Sequence, residues 1–302
     1  MIIKLDMANA FDRVKQSYLF EVLLAFGFNQ EFARLIKACI DQPWITPLVN
    51  GIPCPFFKAT REIRQGCPLS PFLYILMVDS PSRSLNVAMN VGAILSIYPV
   101  RGINPFNHAL FADDSLLLGG ASLRIAQAFN EILQEFCSIY GVLINKSKSV
   151  VYGRNTDEYT ISRIARSLGF VSYATWDKIK YLGLPLTLGS NRPSLWKDFI
   201  SKIKAKIVAW GGQWLTKAGK LILIKMVLSS IPIYQASFLL APKAITDQVS
   251  KLLREFLWQG GRGNQRKFHL VKWDQIKRPM LEGGLQIRDP GLANIALGGK
   301  IL

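Results

Sequence analysis

Phe106–Leu118, FNHALFADDSLLL, places two adjacent aspartates, Asp113 and Asp114, between two apolar runs. The runs Phe106–Ala112 and Ser115–Leu118 are predicted strands joined by a tight turn. Neighbouring carboxylates on an apolar hairpin repel each other and lose hydration, so a counter-charge is required. The chain has two histidines, His108 and His269, and four cysteines (Cys39, Cys54, Cys67, Cys137) with no Cys-x-x-Cys pair. A hard divalent cation on oxygen ligands therefore fits better than zinc. A third carboxylate, Asp6, ends the apolar run Ile2–Leu5, a strand that can lie beside the hairpin in one sheet. Three carboxylates holding two Mg²⁺ (or Mn²⁺) ions about 3.5–4 Å apart form the two-metal arrangement for phosphoryl transfer. The plain alternative is an exposed Asp-Asp turn. Asp12 is a weaker ligand candidate, since it can also cap the helix that follows it.

Outward from the hairpin the pattern is α+β. Ser17–Phe26 and Gln30–Ile40 are predicted helices. Trp44–Asn50 and Cys54–Ala59 are predicted strands joined at Asn50-Gly51. Leu69–Leu85 is an apolar helix begun by Ser70-Pro71, with a cap and a first-turn proline. Ser122–Tyr140 repeats its apolar residues at helical spacing and stops at Gly141. Beyond about residue 190 the pattern is mainly helical: Ser194–Trp210, Lys217–Ser229 and Ile245–Trp258. Leu221–Leu240 is long enough to span a membrane, but Lys225, Pro232 and Gln235 interrupt it, which favours buried helices. Met1-Ile2-Ile3-Lys4 reaches charge too early for a secretory signal.

Charge divides the chain. The net charge is +17, with 13 Lys and Arg against 11 Asp and Glu in residues 1–150, and 24 against 9 in residues 151–302. Six of the seven tryptophans, at 176, 196, 210, 214, 258 and 273, also fall in the second part. A near-neutral first part beside a basic, aromatic second part suggests chemistry in the first and polyanion binding in the second. The alternative is a solvated basic surface with tryptophans packed in small cores.

Three segments carry a resemblance. Lys4-Leu5-Asp6-Met7-Ala8-Asn9-Ala10-Phe11-Asp12-Arg13-Val14 resembles the first palm motif of reverse transcriptases from plant non-LTR (LINE-type) retrotransposons. Arg64-Gln65-Gly66-Cys67-Pro68-Leu69-Ser70-Pro71-Phe72-Leu73-Tyr74 resembles the second, and Phe111-Ala112-Asp113-Asp114 the third. Gly141–Ser149 is similar to the fourth, Tyr181–Leu186 to the primer-grip motif, and Ala218–Leu221 with Ser230–Tyr234 to the thumb. Trp273-Asp274 and Gly283-Gly284-Leu285-Gln286-Ile287-Arg288 resemble the tail that follows in these elements.

The resemblance implies an RNA-directed DNA polymerase that uses an RNA template, a DNA primer and deoxynucleoside triphosphates, located in the nucleus. It implies metal binding by Asp6, Asp113 and Asp114, and a Phe11 ring packed beneath the incoming sugar, where a 2′-hydroxyl would clash. Gln65 and Gly66 would contact nucleotide and template, Lys148 would protonate or neutralise pyrophosphate, and Tyr181-Leu182-Gly183 would grip the primer. His108 is expected to be structural. The expected architecture is a palm, an antiparallel sheet backed by helices, over 1–150. The end of the palm with the primer-grip hairpin follows over 151–190, then a helical thumb/connection region over 191–302. Relatives carry basic fingers residues ahead of the first motif, so residues 1–302 read as an N-terminally truncated fragment expected to extend primers poorly unaided. A non-catalytic RNA- or DNA-binding remnant is the alternative. Three positions depart from the family pattern: Glu62 for a usual glycine, Met280 for a lysine, and Pro81 inside a helix, where it should kink or end it.

The second part is expected to carry most of the nucleic-acid affinity. In titrations of the separated parts against a labelled oligonucleotide, it should show the steeper fall of affinity with salt, through counterion release. Equal slopes would refute the division.

Overall fold

Burial alternates along the first strand, β1 (Ile2–Ala8): Ile3 and Leu5 are fully buried while Lys4 and Asp6 stay partly exposed. One face of the strand is thus committed to a core and the other left open. Asp6 lies inside this strand, which continues three residues past the apolar run. The computed structural model describes residues 1–8, 11–40, 44–58, 63, 66–97, 104–173, 179–186, 193–210, 215–231, 233–259 and 269–299. They form two compact units, Met1–Leu182 and Gly183–Leu302.

In the first unit, α1 (Gln16–Ala25) and α2 (Gln30–Ile40) follow β1. Four two-residue strands come next: β2 (Trp44–Ile45), β3 (Leu48–Val49), β4 (Ile52–Pro53) and β5 (Phe57–Lys58). β3 pairs with β4 across Asn50-Gly51, whose φ angles of 51° and 81° are the left-handed pair of a type I′ turn. Next come α3 (Ser70–Asn90), β6 (His108–Phe111), β7 (Asp114–Leu118) and α4 (Leu123–Tyr140). The unit closes with β8 (Leu143–Ile144), β9 (Val150–Tyr152), α5 (Glu158–Leu168), β10 (Val171–Tyr173) and β11 (Lys180–Tyr181).

The main sheet has the order β10-β9-β1-β7-β6, with β8 also paired to β1. Its pairings are antiparallel except β9 with β10, which run parallel through the crossover helix α5. The all-antiparallel expectation is corrected at that edge. Ile3, Leu5, Leu117 and Val151 join Leu73, Met77, Phe129, Phe136 and Ile161 of the helices in one core. Ser122 caps α4 by accepting the Ile125 N–H, and Gly141 ends it in the left-handed conformation. On α3 the N-cap position falls on Leu69 rather than Ser70, and the helix does not end at Pro81, which is buried, but runs on to Asn90.

The second unit opens with β12 (Leu184–Pro185) and a 3₁₀ turn, Pro193–Trp196, leading into α6 (Lys197–Ala209). α7 (Lys217–Leu223) is capped by Thr216 and passes into a π-helical turn, Ile224–Leu228. α8 (Ile233–Ala236), α9 (Lys243–Gln259), α10 (Trp273–Lys277) and α11 (Pro290–Gly298) complete it. Trp196, Phe199, Ile203, Ile224, Leu228, Leu253 and Phe256 form its core, with Trp210, Trp258 and Trp273 packed against them. These tryptophans are core residues, as the alternative reading had it; Trp176 and Trp214 lie outside the described residues. Asn294, 4% exposed, donates to the Ala236 and Leu239 carbonyls and accepts the Ala241 N–H, so its amide is satisfied. Among the described residues no helix is long and apolar enough to cross a membrane.

The units divide at Leu182/Gly183, inside the expected 151–190 segment. No division occurs at 150, because β9 pairs with β1 and β10 with β9. Separated parts are therefore best cut at 182/183, where the second unit keeps 19 Lys and Arg against 6 Asp and Glu.

An ion pair braces the end of the second unit. Lys277 Nζ lies 2.7 Å from Asp274 and 2.7 Å from Asp289, and Asp289 also caps α11. Burial would lower the Lys277 pKa, but the bonds to Asp274 and Asp289 outweigh it and raise it. Burial likewise opposes ionisation of Asp289, yet Lys277 and the α11 amides hold its pKa below the ordinary value. The pair's stabilisation is therefore complete above the ordinary carboxylate range and below the ordinary lysine pKa. It is lost as pH falls through the depressed Asp289 pKa or rises through the raised Lys277 pKa. Lys277→Met should lower stability by about 1–3 kcal/mol at neutral pH. In melting curves from pH 3 to 8, it should also flatten the acid limb relative to the unsubstituted chain.

Candidate active site

Asp6 reaches its position through an interruption in β1's partner strand. Lys4 pairs with Val150 of β9 and Met7 with Ile144 of β8, so the five residues Asn145–Ser149 face only Leu5 and Asp6. The excursion closes on itself: the Lys148 and Ser149 amides both donate to the Asn145 carbonyl, at 3.2 and 2.9 Å. It then takes over the ladder's role at Asp6. The Asn145 N–H donates to the Asp6 carbonyl at 2.8 Å, and the Asp6 N–H donates to Ser149 Oγ at 3.2 Å. Ser149 is completely buried, and its hydroxyl donates in turn to the Asn145 carbonyl at 2.8 Å. Both polar backbone groups of Asp6 are thereby satisfied without a regular strand partner.

On its other side β1 pairs with β7, Asp6 directly opposite Asp114. Phe111 pairs with Asp114, leaving Ala112-Asp113 as a two-residue turn. Ala112 has φ 48°, and Asp113 is not among the positive-φ residues, the sign pattern of a type II′ hairpin. A glycine usually fills that first position. Alanine, the smallest chiral residue, keeps the strain at roughly 1–2 kcal/mol. The Met7 N–H donates to the Asp113 carbonyl at 3.3 Å, which brings Asp113 beside Asp6.

Asp6 and Asp113 line one cleft of about 580 Å³ with Phe11, Asp12, Gly66, Asn145 and Lys148, and with Ser70 and Pro71 at the start of α3. Phe11 stacks on Tyr74 with ring centroids 4.8 Å apart, and its carbonyl accepts the N–H of buried Ile63. Burial, and secondarily the Asp113 charge, push the Tyr74 pKa up to about 12. Gly66 has φ 82°, a conformation that a side chain would strain. Gln65 and Glu62 lie outside the described residues.

Lysines flank the carboxylates. Lys148 Nζ lies 3.9 Å from Asp6 and is well exposed, so the pair contributes about 0–1 kcal/mol and is easily exchanged. Lys4, on the open face of β1, lies 3.5 Å from Asp114 and donates to the Lys180 carbonyl at 3.0 Å. It thus ties β11 to the carboxylate strand. Tyr181 of β11 has its pKa raised by burial first and the Asp114 charge second. Leu182 and Gly183 follow with φ 49° and 76°, the two left-handed residues of a tight turn.

Asp6 and Asp113 share the cleft, whereas Asp114 sits on the strand against Lys4. Among the described residues no group of three His, Cys, Asp or Glu is gathered closely enough to hold a metal ion. Asp114, directly opposite Asp6 across the β1–β7 ladder, projects on the same face of the sheet as Asp6 and Lys4. Asp12 does not cap α1, whose N-cap is Lys15. His108 proves structural: its ring meets Ser82 Oγ at 2.8 Å and Asn107 Oδ1 at 2.5 Å, and burial lowers its pKa. The sequence reading missed Ser149 and Lys4. Both lie inside the motif segments Lys4–Val14 and Gly141–Ser149, but nothing in the sequence singles out either as a partner of the carboxylates.

The family described as reverse transcriptase (RNA-dependent DNA polymerase) matches residues 1–186. A putative ribonuclease H protein of Arabidopsis thaliana is 36% identical over 104 residues, 34% of this chain and 17% of that protein. An uncharacterised 149 kDa transposon protein of Xenopus laevis is 25% identical over 290 residues, 93% of this chain and 21% of its own length. A retrovirus-related Pol polyprotein from a type-2 retrotransposable element of Drosophila melanogaster is 25% identical over 195 residues, 62% of this chain and 17% of the polyprotein. The chain thus spans roughly a fifth or less of the length of these relatives.

Ser149→Ala should leave the buried Asp6 N–H without an acceptor and lower stability by about 1–3 kcal/mol in denaturant melts. Ser147→Ala, at an exposed hydroxyl of the same turn, should change it by less than about 0.5 kcal/mol.

Proposed function

The chain belongs to the reverse transcriptase (RNA-dependent DNA polymerase) family, and we propose that it carries the nucleotidyl-transfer centre of an RNA-directed DNA polymerase. The observation that carries this reading is the cleft itself. Two carboxylates, Asp6 on a strand and Asp113 in the hairpin turn beside it, are held by backbone hydrogen bonds beside an aromatic ring and an open glycine turn.

In the proposed reaction a primer 3′-hydroxyl attacks the α-phosphorus of a deoxynucleoside triphosphate. The new O–P bond forms as the bond to the β-phosphate oxygen breaks, releasing pyrophosphate, and the hydroxyl proton leaves to solvent or a nearby base. Asp6 and Asp113 are hard oxygen donors that fit Mg²⁺ or Mn²⁺. Mg²⁺ is commonly held by one or two carboxylates with substrate phosphates completing its shell, so two carboxylates in the cleft suffice without a three-ligand protein cage. When bound, the cation would lower the pKa of the attacking hydroxyl and neutralise phosphate charge.

The remaining residues take supporting roles. Phe11, stacked on Tyr74, would exclude a 2′-hydroxyl. Gly66 would let backbone approach the nucleotide. The start of α3, at Ser70 and Pro71, adds the positive end of a 21-residue helix to the cleft. Lys148, loosely paired to Asp6, would meet departing pyrophosphate as charge partner or proton donor, and Tyr181-Leu182-Gly183 would position the primer. An RNA template and a DNA primer are the partners this reading requires.

Primer extension on an RNA template with Mg²⁺ tests it. Asp113→Asn should reduce the rate at least about 100-fold, beyond the 10–100-fold expected of a residue that only supports a metal ligand. Glu135→Gln, outside the cleft, should leave the rate unchanged. Nucleic-acid binding without any Mg²⁺-dependent extension, even with a relative's fingers segment joined to the chain, would favour the non-catalytic alternative.

A further inference from the structure

The second unit holds its own cleft, of about 680 Å³, and the tail motif that the polymerase reading does not use builds its wall. Four cations line it, Lys225, Lys277, Arg278 and Arg288, and among the described residues only Lys277 is ion-paired. Its two carboxylates are already engaged. Asp274 and Asp289 both bind Lys277, and Asp289 also accepts the Gly291 and Leu292 amides at the start of α11. Lys225, Lys277, Arg278 and Arg288 against Asp274 and Asp289 leave a net charge of +2.

The backbone beneath these cations is rigid. After α10 the chain folds back on itself. Gly284 N–H donates to the Pro279 carbonyl at 3.0 Å, Leu285 N–H to Ile276 at 2.9 Å, and Gln286 N–H to Arg278 at 2.9 Å. A Cβ at Gly284 would sit 2.0 Å from the Arg278 carbonyl oxygen, so only glycine permits this closure. The knuckle fixes the positions of Arg278 and Arg288 along one cleft. The π-helical turn Ile224–Leu228 brings Lys225 and Ser229 to the same cleft. Ser229 Oγ is buried with no hydrogen-bond partner among the described residues, so its hydroxyl is uncommitted at the edge of the cleft.

We propose that this cleft binds the backbone phosphates of a nucleic-acid strand. Guanidinium groups match phosphate oxygens in forked pairs, Lys225 adds a point charge, and Ser229 supplies a neutral donor. Among the described residues no aromatic side chain lines the cleft, so it offers phosphate contacts rather than a surface for stacking bases. The identity of the partner as nucleic acid rests on the polymerase reading; the anion chemistry does not.

The test uses the full chain and a 20-nucleotide single strand, in RNA and DNA forms, titrated across salt concentrations. Arg278→Gln with Arg288→Gln should weaken binding about 10–100-fold at low salt and flatten the log–log salt slope by about 1.4, the loss of two phosphate contacts on a single strand. Lys202→Gln with Lys204→Gln, exposed positions on α6 with the same change in charge, should flatten it by less than half as much. Arg278→Lys with Arg288→Lys keeps the charge and should retain the slope, which reads the site even where the glutamine pair unfolds. An equal effect of the arginine and lysine pairs, or no effect of the arginine pair, overturns the proposal. A loss confined to RNA names RNA as the strand bound, and a loss on both forms marks a backbone site for either. Primer extension is scored separately, so failure of the chemistry leaves the slope comparison standing.

Discussion

The candidate active site depends on how the two backbone groups of Asp6 are satisfied. A central strand normally spends its amides and carbonyls on both neighbours. Where its partner leaves the ladder between Ile144 and Val150, Asp6 would be left with a buried, unpaired N–H. Ser149 Oγ and the Asn145 amide close that gap. The excursion that supplies them also carries Lys148 to the cleft. One break in pairing thus holds the carboxylate and brings a lysine to it.

Charge balance around the carboxylates follows from strand geometry. Lys4, Asp6 and Asp114 share the open face of the sheet, where Lys4 compensates Asp114, while Asp113, in the turn, lines the cleft with Asp6. Lys148 is solvated and only 3.9 Å distant, so a cation with its substrate can displace it at small cost. Such a cleft is suited to ligands that bring their own phosphate oxygens.

The second unit solves a different problem. The described tryptophans are packed in or against a small helical core; apart from buried Lys220, basic residues such as Lys202, Lys204, Arg278 and Arg288 stay on the surface or along a cleft. Lys277 shows the distinction among lysines. Bound to two carboxylates, it braces the fold, whereas Lys225, Arg278 and Arg288 have no such partner and remain available to an anion.

Much of this was legible in the sequence. Ser122 and Gly141 bound a helix, Asn50-Gly51 make a hairpin, and the aspartates between two apolar runs make another, because each depends on local backbone chemistry. The residues that line the cleft, Asp6, Phe11, Gly66, Asp113 and Lys148, were also named from their motifs. Neither Ser70 nor Pro81 marks an end of α3, whose N-cap position falls on Leu69 and which runs on to Asn90. The parallel edge strand, the division at Leu182/Gly183 and the pairing of Asp114 with Lys4 appear only in three dimensions. Ser149 is the sharpest case: a serine among lysines carries no signal, and its importance comes from a hydrogen bond to a residue 143 positions away. By itself the sequence determined the local elements, the charge division and the motif residues, which depend on neighbours along the chain. Tertiary structure alone decided which carboxylates meet and what holds them, because a buried backbone group takes whatever partner the packed fold brings to it.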